Sequence, residues 1–186
     1  RRGRAALFEG TGLGKTLQQL AWARAVADHE QGSVLVLTPL AVAEQTVAEA
    51  RKFSISGVAY AADQSSISGD IVVTNYERFE KFDISAFVGI VLDESGIIKA
   101  ADGKTRTLLT NDCSDLAWRL CCTATPAPND YAELGQHAEF LGVSTSKEML
   151  SRFFVHDGSI RANDDRAGAD GGRLKRHAES DFWRWV

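Results

Sequence analysis

A chain of 186 residues is long enough to bury one substantial core, with room for an appendage. Its 44% hydrophobic and 25% charged content is that of an ordinary soluble globular protein, and no apolar stretch is long enough to span a bilayer, so no membrane partner is expected. The net charge of -4 does not advertise a polyanion partner, yet leaves one open, because backbone amides and helix N-termini hold phosphates without bulk positive charge.

The chain begins with the basic Arg1-Arg2-Gly3-Arg4, but the apolar run after it, Ala5–Phe8, is too short for a signal peptide and reads as a first strand. Directly after it comes EGTGLGKT, Glu9 to Thr16. A glycine-rich turn of this kind cradles a polyphosphate. Gly12 and Gly14 let backbone amides approach phosphate oxygens in conformations a β-carbon would hinder. Gly10, Thr11 and Leu13 complete the turn, and the helix pattern Lys15–His29 points its first amides at the same anion. Lys15 adds a mobile positive charge for the β- and γ-phosphates, and the Thr16 hydroxyl is placed to ligate magnesium. The strict pattern G-x-x-x-x-G-K-[ST] fails at its first position, where Glu9 stands. The plainer alternative is a glycine-rich loop with a chance Lys-Thr.

Further along, apolar runs of strand type alternate with helix patterns. The strands are Ser33–Thr38, Gly57–Tyr60, Asp70–Thr74, Phe87–Leu92 and Arg119–Thr123, and the helices Val42–Phe53, Tyr76–Phe82, Lys104–Cys113 and Tyr131–Leu141. Val34–Leu37 and Ile71–Val73 are nearly continuous apolar runs, which suits strands covered on both faces. The alternation predicts a three-layer αβα sandwich around a mostly parallel sheet, with ligands at the carboxyl ends of the strands. The fifth strand ends in Asp93 and Glu94. There Asp93 would hold magnesium, and Glu94 would orient and deprotonate an attacking water. Taken alone, two acids after a strand are more often a solvated turn. Their place after a phosphate loop gives them weight.

Cys113, Cys121 and Cys122 are odd in number and lack zinc-ligand spacing, which reads as buried free thiols in a reducing compartment, the cytoplasm. His137 and His156 read as surface or core-edge residues, and Lys99, Lys104 and Arg106 as an exposed basic turn. Residues 155–172 are polar and glycine-rich and predict a flexible linker or exposed insertion. A further helical segment follows over 173–186, with Leu174, Ala178, Phe182 and Trp185 or Val186 along one stripe. It introduces Trp183 and Trp185 with nothing left to cover them, and the first strand starts almost at Arg1, so a piece of a longer protein is expected.

EGTGLGKT, VLDES and TATPAPND, in that order, resemble motifs I, II and III of superfamily-two helicases of the DEAD/DEAH-box kind. The GLGKT core and the segment NDYAELGQHAEFL are most similar to the Swi/Snf-type branch in its bacterial and phage form. In the acidic motif, Ser95 and Gly96 stand where the better-known box has Ala and His. The resemblance covers residues 1–154 and implies a RecA-like P-loop domain, the N-terminal motor lobe, that binds ATP and Mg2+. It also implies that Thr38-Pro39-Leu40 matches motif Ia and Thr74-Asn75-Tyr76 motif Ib, both lining a nucleic-acid track, and that Thr123 and Thr125 couple the γ-phosphate to that track. The partners implied are nucleic acid, double-stranded DNA foremost, and a second RecA-like lobe that closes the ATP cleft and carries an arginine finger. Without that finger, this chain alone is expected to turn over slowly. The expected activity is an ATP-driven helicase or translocase on DNA. The competing readings are the motor portion of a restriction or DNA-repair complex, a non-catalytic nucleic-acid-binding module, and a small P-loop kinase.

Overall fold

The computed structural model describes residues 3–97, 103–156 and 172–186. Six strands form one sheet: β1 (Arg4–Phe8), β2 (Ser33–Thr38), β3 (Val58–Tyr60), β4 (Ile71–Asn75), β5 (Phe87–Asp93) and β6 (Trp118–Thr123). Their order is β1-β6-β5-β2-β4-β3, and every neighbouring pair is parallel. Parallel neighbours need crossovers. Helix α1 (Lys15–Glu30) carries the chain from β1 to β2, α2 (Ala43–Lys52) from β2 to β3, and α3 (Gly103–Asp112) lies between β5 and β6.

Strand side chains alternate between the two faces. Val34, Val36, Ile71, Val73, Val91 and Leu120 pack under α1 and α2 against Leu20, Ala23, Val26 and Val47. Leu35, Leu37, Val72, Ile90 and Leu92 face the other way, into a core with Phe79, Phe82, Leu109, Cys113 and Phe140. This is the three-layer α/β sandwich that the alternation predicts. The three cysteines are free and buried. Among the described residues no helix is long and apolar enough to cross a membrane.

Beyond β6 come α4 (Leu134–Phe140), α5 (Ser146–Phe153), the antiparallel pair β7 (Phe154–His156) and β8 (Gly172–Leu174), and α6 (Glu179–Trp185). They close a satellite core of Leu134, Met149, Phe153, Phe154, Ala178 and Phe182, with Phe8 from β1 against it.

The structure departs from the sequence expectations in four places. The segment expected as a helix over Tyr76–Phe82 is a 3-10 turn over Tyr76–Lys81, with Tyr76 and Phe79 buried together at the three-residue repeat of that geometry. Helix α5 has no counterpart in the sequence reading. The expected linker, 155–172, begins and ends in paired strand, and residues 157–171 lie outside the described ones. The helix expected from Arg173 starts only at Glu179, because Lys175 is tied down in extended form: its N–H donates to Phe153 O at 2.8 Å and its ammonium to Ser151 O and Arg152 O. Ala178 and Phe182 do bury as the stripe predicts, and Trp185 packs on Phe153, while Trp183 stays 48% exposed.

Candidate active site

β1 delivers the chain to Glu9, whose N–H donates to Thr123 O at 3.2 Å, so the loop starts fastened to the end of β6. Gly12 and Gly14 both sit at φ +81°, and a Cβ at either would meet nothing within 4 Å. Backbone torsion, not crowding, therefore demands glycine there, and the space outside the loop is open. Gly14 caps α1 without a side-chain cap, and no acid lies in the first turn, so the leading amides remain for an outside acceptor. The Lys15 ammonium meanwhile donates to Glu9 O and Gly10 O, both at 2.8 Å. Gln18 Nε2 donates to the Glu9 carboxylate at 2.8 Å and to Leu13 O at 3.2 Å. Glu9, the residue that breaks the strict loop pattern, is thus part of the loop's own bracing.

The acids lie at the end of β5, next to β6. Asp93 is half-buried and Glu94 exposed. Glu94 has φ +52°, a left-handed conformation costly for a residue with a side chain. The turn is held from β6: Ser95 N–H donates to Cys122 O at 2.8 Å, and Thr123 Oγ1 donates to Glu94 Oε1 at 2.8 Å. Thr125 N–H donates in turn to Thr123 Oγ1 at 3.1 Å, so Glu94, Thr123 and Thr125 form one chain of contacts. From the other side the buried Tyr76 hydroxyl donates to Asp93 O at 2.8 Å.

Burial holds the Asp93 carboxyl above its ordinary pKa, and the Glu94 charge adds to this. The Gln19 amide and the Lys15 ammonium pull the other way. Burial likewise pushes the Cys122 thiol up, with Asp93, Lys15 and Glu9 all close enough to act on it. β1 and β5 flank β6, with Phe8 opposite Thr123 and Asp93 opposite Cys122, so the loop after Phe8 and the acids Asp93 and Glu94 come to the same end of β6.

The threonines expected on a nucleic-acid track lie elsewhere in the sheet, at the ends of β2 and β4. Thr38, Thr74 and Asn75 are at most 1% exposed. Thr38 Oγ1 donates to Pro39 O at 3.2 Å and, at 3.4 Å, to Thr74 O, and the outward group at this turn is Leu40, 66% exposed. These side chains point into the molecule, so a backbone-phosphate contact at this turn would fall to main-chain groups. His137, expected at the surface or the core edge, is 2% exposed. Its Nε2 and Ser95 Oγ share a hydrogen bond of 3.0 Å that ties the acidic turn to α4, and its ring meets Phe8 edge-on. The side chains of Lys104 and Arg106, and Lys99 entirely, lie outside the described residues.

The donor set suits magnesium held together with a nucleotide. No group of three or more His, Cys, Asp or Glu that could hold a metal occurs among the described residues. Magnesium instead uses one or two carboxylates plus substrate phosphates. Asp93 and the Thr16 hydroxyl are of the type that could serve as such partial ligands. Several carboxylates around one ammonium also leave a site that repels a bare triphosphate more than its less negative magnesium complex.

Sequence reasoning passed over Gln18, Gln19 and the Ser95–His137 pair, and read Tyr76 as part of motif Ib without its bond to Asp93. Gln18 and Gln19 had a local signal, since both lie one turn beyond Lys15 on its own helix. The other contacts link segments far apart in sequence.

Similar proteins place this arrangement. The SWI2/SNF2 ATPase core of Sulfolobus solfataricus in complex with dsDNA superposes with TM-score 0.62 at 27% identity, over 81% of this chain and 34% of that one. The helicase domain of Pyrococcus furiosus Hef has the same fold, with TM-score 0.62 at 18% identity over 77% of this chain and 34% of its own. So does the UvsW helicase of bacteriophage T4, with TM-score 0.59 at 17% identity over 75% of this chain and 51% of its own. The chain thus has the RecA-like fold and spans about a third of the length of the Sulfolobus core. No curated protein matches it in sequence. The profile of the SNF2-related domain matches residues 4–156, and the chain belongs to that family.

Proposed function

We propose that this chain is the ATP-binding motor lobe of a nucleic-acid-dependent ATPase that couples hydrolysis to movement on double-stranded DNA. The observation that carries the reading is that β1 and β5 flank β6, so the loop bearing Lys15 and the acids Asp93 and Glu94 emerge at the same end of a parallel sheet. Family membership supports an ATPase. The Sulfolobus core, bound to dsDNA, supports duplex DNA as the partner.

Lys15 would leave the carbonyls of Glu9 and Gly10 for the β- and γ-phosphates, while the amides of Gly12, Gly14 and the first turn of α1 cradle the rest. Magnesium, held by Thr16 and Asp93, would neutralise charge on the phosphate oxygens. Glu94 would orient the attacking water and take its proton. Thr123 would report the state of Glu94 to Thr125, because one hydroxyl touches both. A second RecA-like lobe would close over this site and open after hydrolysis, moving the pair along the DNA backbone. A phosphate loop, a metal-holding acid and a candidate base on one lobe argue against a purely structural binding module.

The test is ATP turnover by the protein carrying this chain, with and without duplex DNA. The reading expects DNA to raise the rate. Turnover indifferent to DNA removes the translocase. Glu94→Gln should leave ATP affinity intact and stop turnover; a variant that hydrolyses normally contradicts the role given to Glu94.

A further inference from the structure

Gln19 is fully buried, and neither its amide nitrogen nor its amide oxygen has a hydrogen-bond partner. It opens the buried stripe of α1 that continues through Leu20, Ala23, Val26 and Ala27, a position where an apolar side chain would do the packing. A buried amide left unpaired carries a desolvation cost that packing alone does not repay. The buried stripe of α1 packs on Val91 of β5, and Asp93, two residues further along that strand, points to the same face, so Gln19 lies on the side of the sheet that carries this carboxyl. It also lies one helical turn beyond Lys15, beneath the loop.

We infer that Gln19 is a positioning residue for Asp93. Its buried amide orients the metal-holding carboxylate from below, and its open hydrogen-bonding capacity is filled when the magnesium–nucleotide complex seats. This rests on the nucleotide site proposed above. The chemistry is that of an outer group which fixes a ligand's orientation without touching the metal. The nitrogen donates to the carboxylate oxygen turned away from the metal. The oxygen accepts from a donor that arrives with the complex. Gln18, its neighbour in sequence, serves the loop instead, through Glu9 and Leu13.

The experiment uses residues 1–186 and a fluorescent N-methylanthraniloyl-ADP, titrated across magnesium concentrations and in EDTA, with thermal melting alongside. Gln19→Met keeps the volume and removes the amide, and Gln19→Leu serves as a second apolar variant should the first fold poorly. The expected result is a rise of about 10-fold in half-saturating magnesium, as for loss of an outer-shell partner. Affinity in EDTA stays at the wild-type value, and the melting temperature is equal or higher because an unpaired buried amide has gone. A wild-type magnesium dependence in the variants, or a melting temperature well below wild type in both, overturns the inference. Lys15→Ala separates the two levels. If it binds the nucleotide as wild type does, the nucleotide site itself is wrong. If it loses binding while the Gln19 variants behave as wild type, only the role of Gln19 falls.

Discussion

The two ends of the same six strands are built differently. At the amino ends, contacts close upon themselves. Trp118 Nε1–H donates to Glu30 at 2.9 Å, its ring meets Trp22 edge-on at 6.3 Å, and a Cβ on Gly89 would stand only 3.0 Å from Trp118 Cβ. At the carboxyl ends, buried polar side chains collect: Gln19, Thr38, Thr74, Asn75, Ser95 and Thr123. Gln19, Thr74 and Asn75 keep polar atoms without a hydrogen-bond partner. Left-handed backbone occurs at both ends, at Gly3, Gln31 and Gly57 before β1, β2 and β3 and at Gly12, Gly14 and Glu94 on the other side. Buried polar groups without a partner lower stability. At the amino ends they are two guanidinium nitrogens, Arg24 Nε and Arg119 Nε, whereas at the carboxyl ends whole side-chain functions of Gln19, Thr74 and Asn75 are involved, so the carboxyl ends give up more cohesion for chemistry.

That contrast can be broken by substitution. Ile71→Ala, at the amino end of β4 and fully buried, should cost about 2–5 kcal/mol in urea unfolding and leave nucleotide affinity of the folded protein unchanged. A loss of affinity there would show that the two ends are not separable. Lys15→Ala should do the reverse. Its bonds to Glu9 and Gly10 are at best half-buried, so stability should hold, while nucleotide binding loses about 1.5–3 kcal/mol for each charge-assisted contact to phosphate.

The smallest and most diagnostic effect concerns Asp93. Its carboxyl titrates above the unfolded value of 3.8, chiefly through burial. Between that value and the raised folded one, the native state holds more protons than the unfolded chain, so the stability contributed by this group falls as pH rises. Asp93→Asn should therefore melt higher than wild type at neutral pH, with the difference fading as pH falls towards 3.8. Melting curves across this range check it. A variant less stable at neutral pH would mean that the ionised carboxylate is a stabilising group in the free chain.

Much of the fold was legible because a parallel sheet covered on both faces leaves runs such as Val34–Leu37 and Ile71–Val73, which no half-exposed strand would show. The phosphate loop was legible because its glycines and Lys15 act locally. Helix α5 was passed over although its capping box, Thr145 with Glu148, stands in the sequence, because its apolar positions are few and a polar stretch follows. The β7–β8 pair is three residues on each side and joins segments separated by an insertion, so no local period betrays it. The inward turn of Thr38, Thr74 and Asn75 and the burial of His137 against Ser95 depend on neighbours distant in the chain. Sequence marked these threonines and Asn75 as strand ends but could not say which way their side chains point.

The most direct test of the account is a structure of this chain with a non-hydrolysable ATP analogue and magnesium. The account predicts that the Lys15 ammonium leaves Glu9 O and Gly10 O for the β- and γ-phosphates, with Thr16 and Asp93 both holding one metal ion. A nucleotide bound elsewhere, or a Lys15 still closed on its own loop with the analogue present, would contradict it.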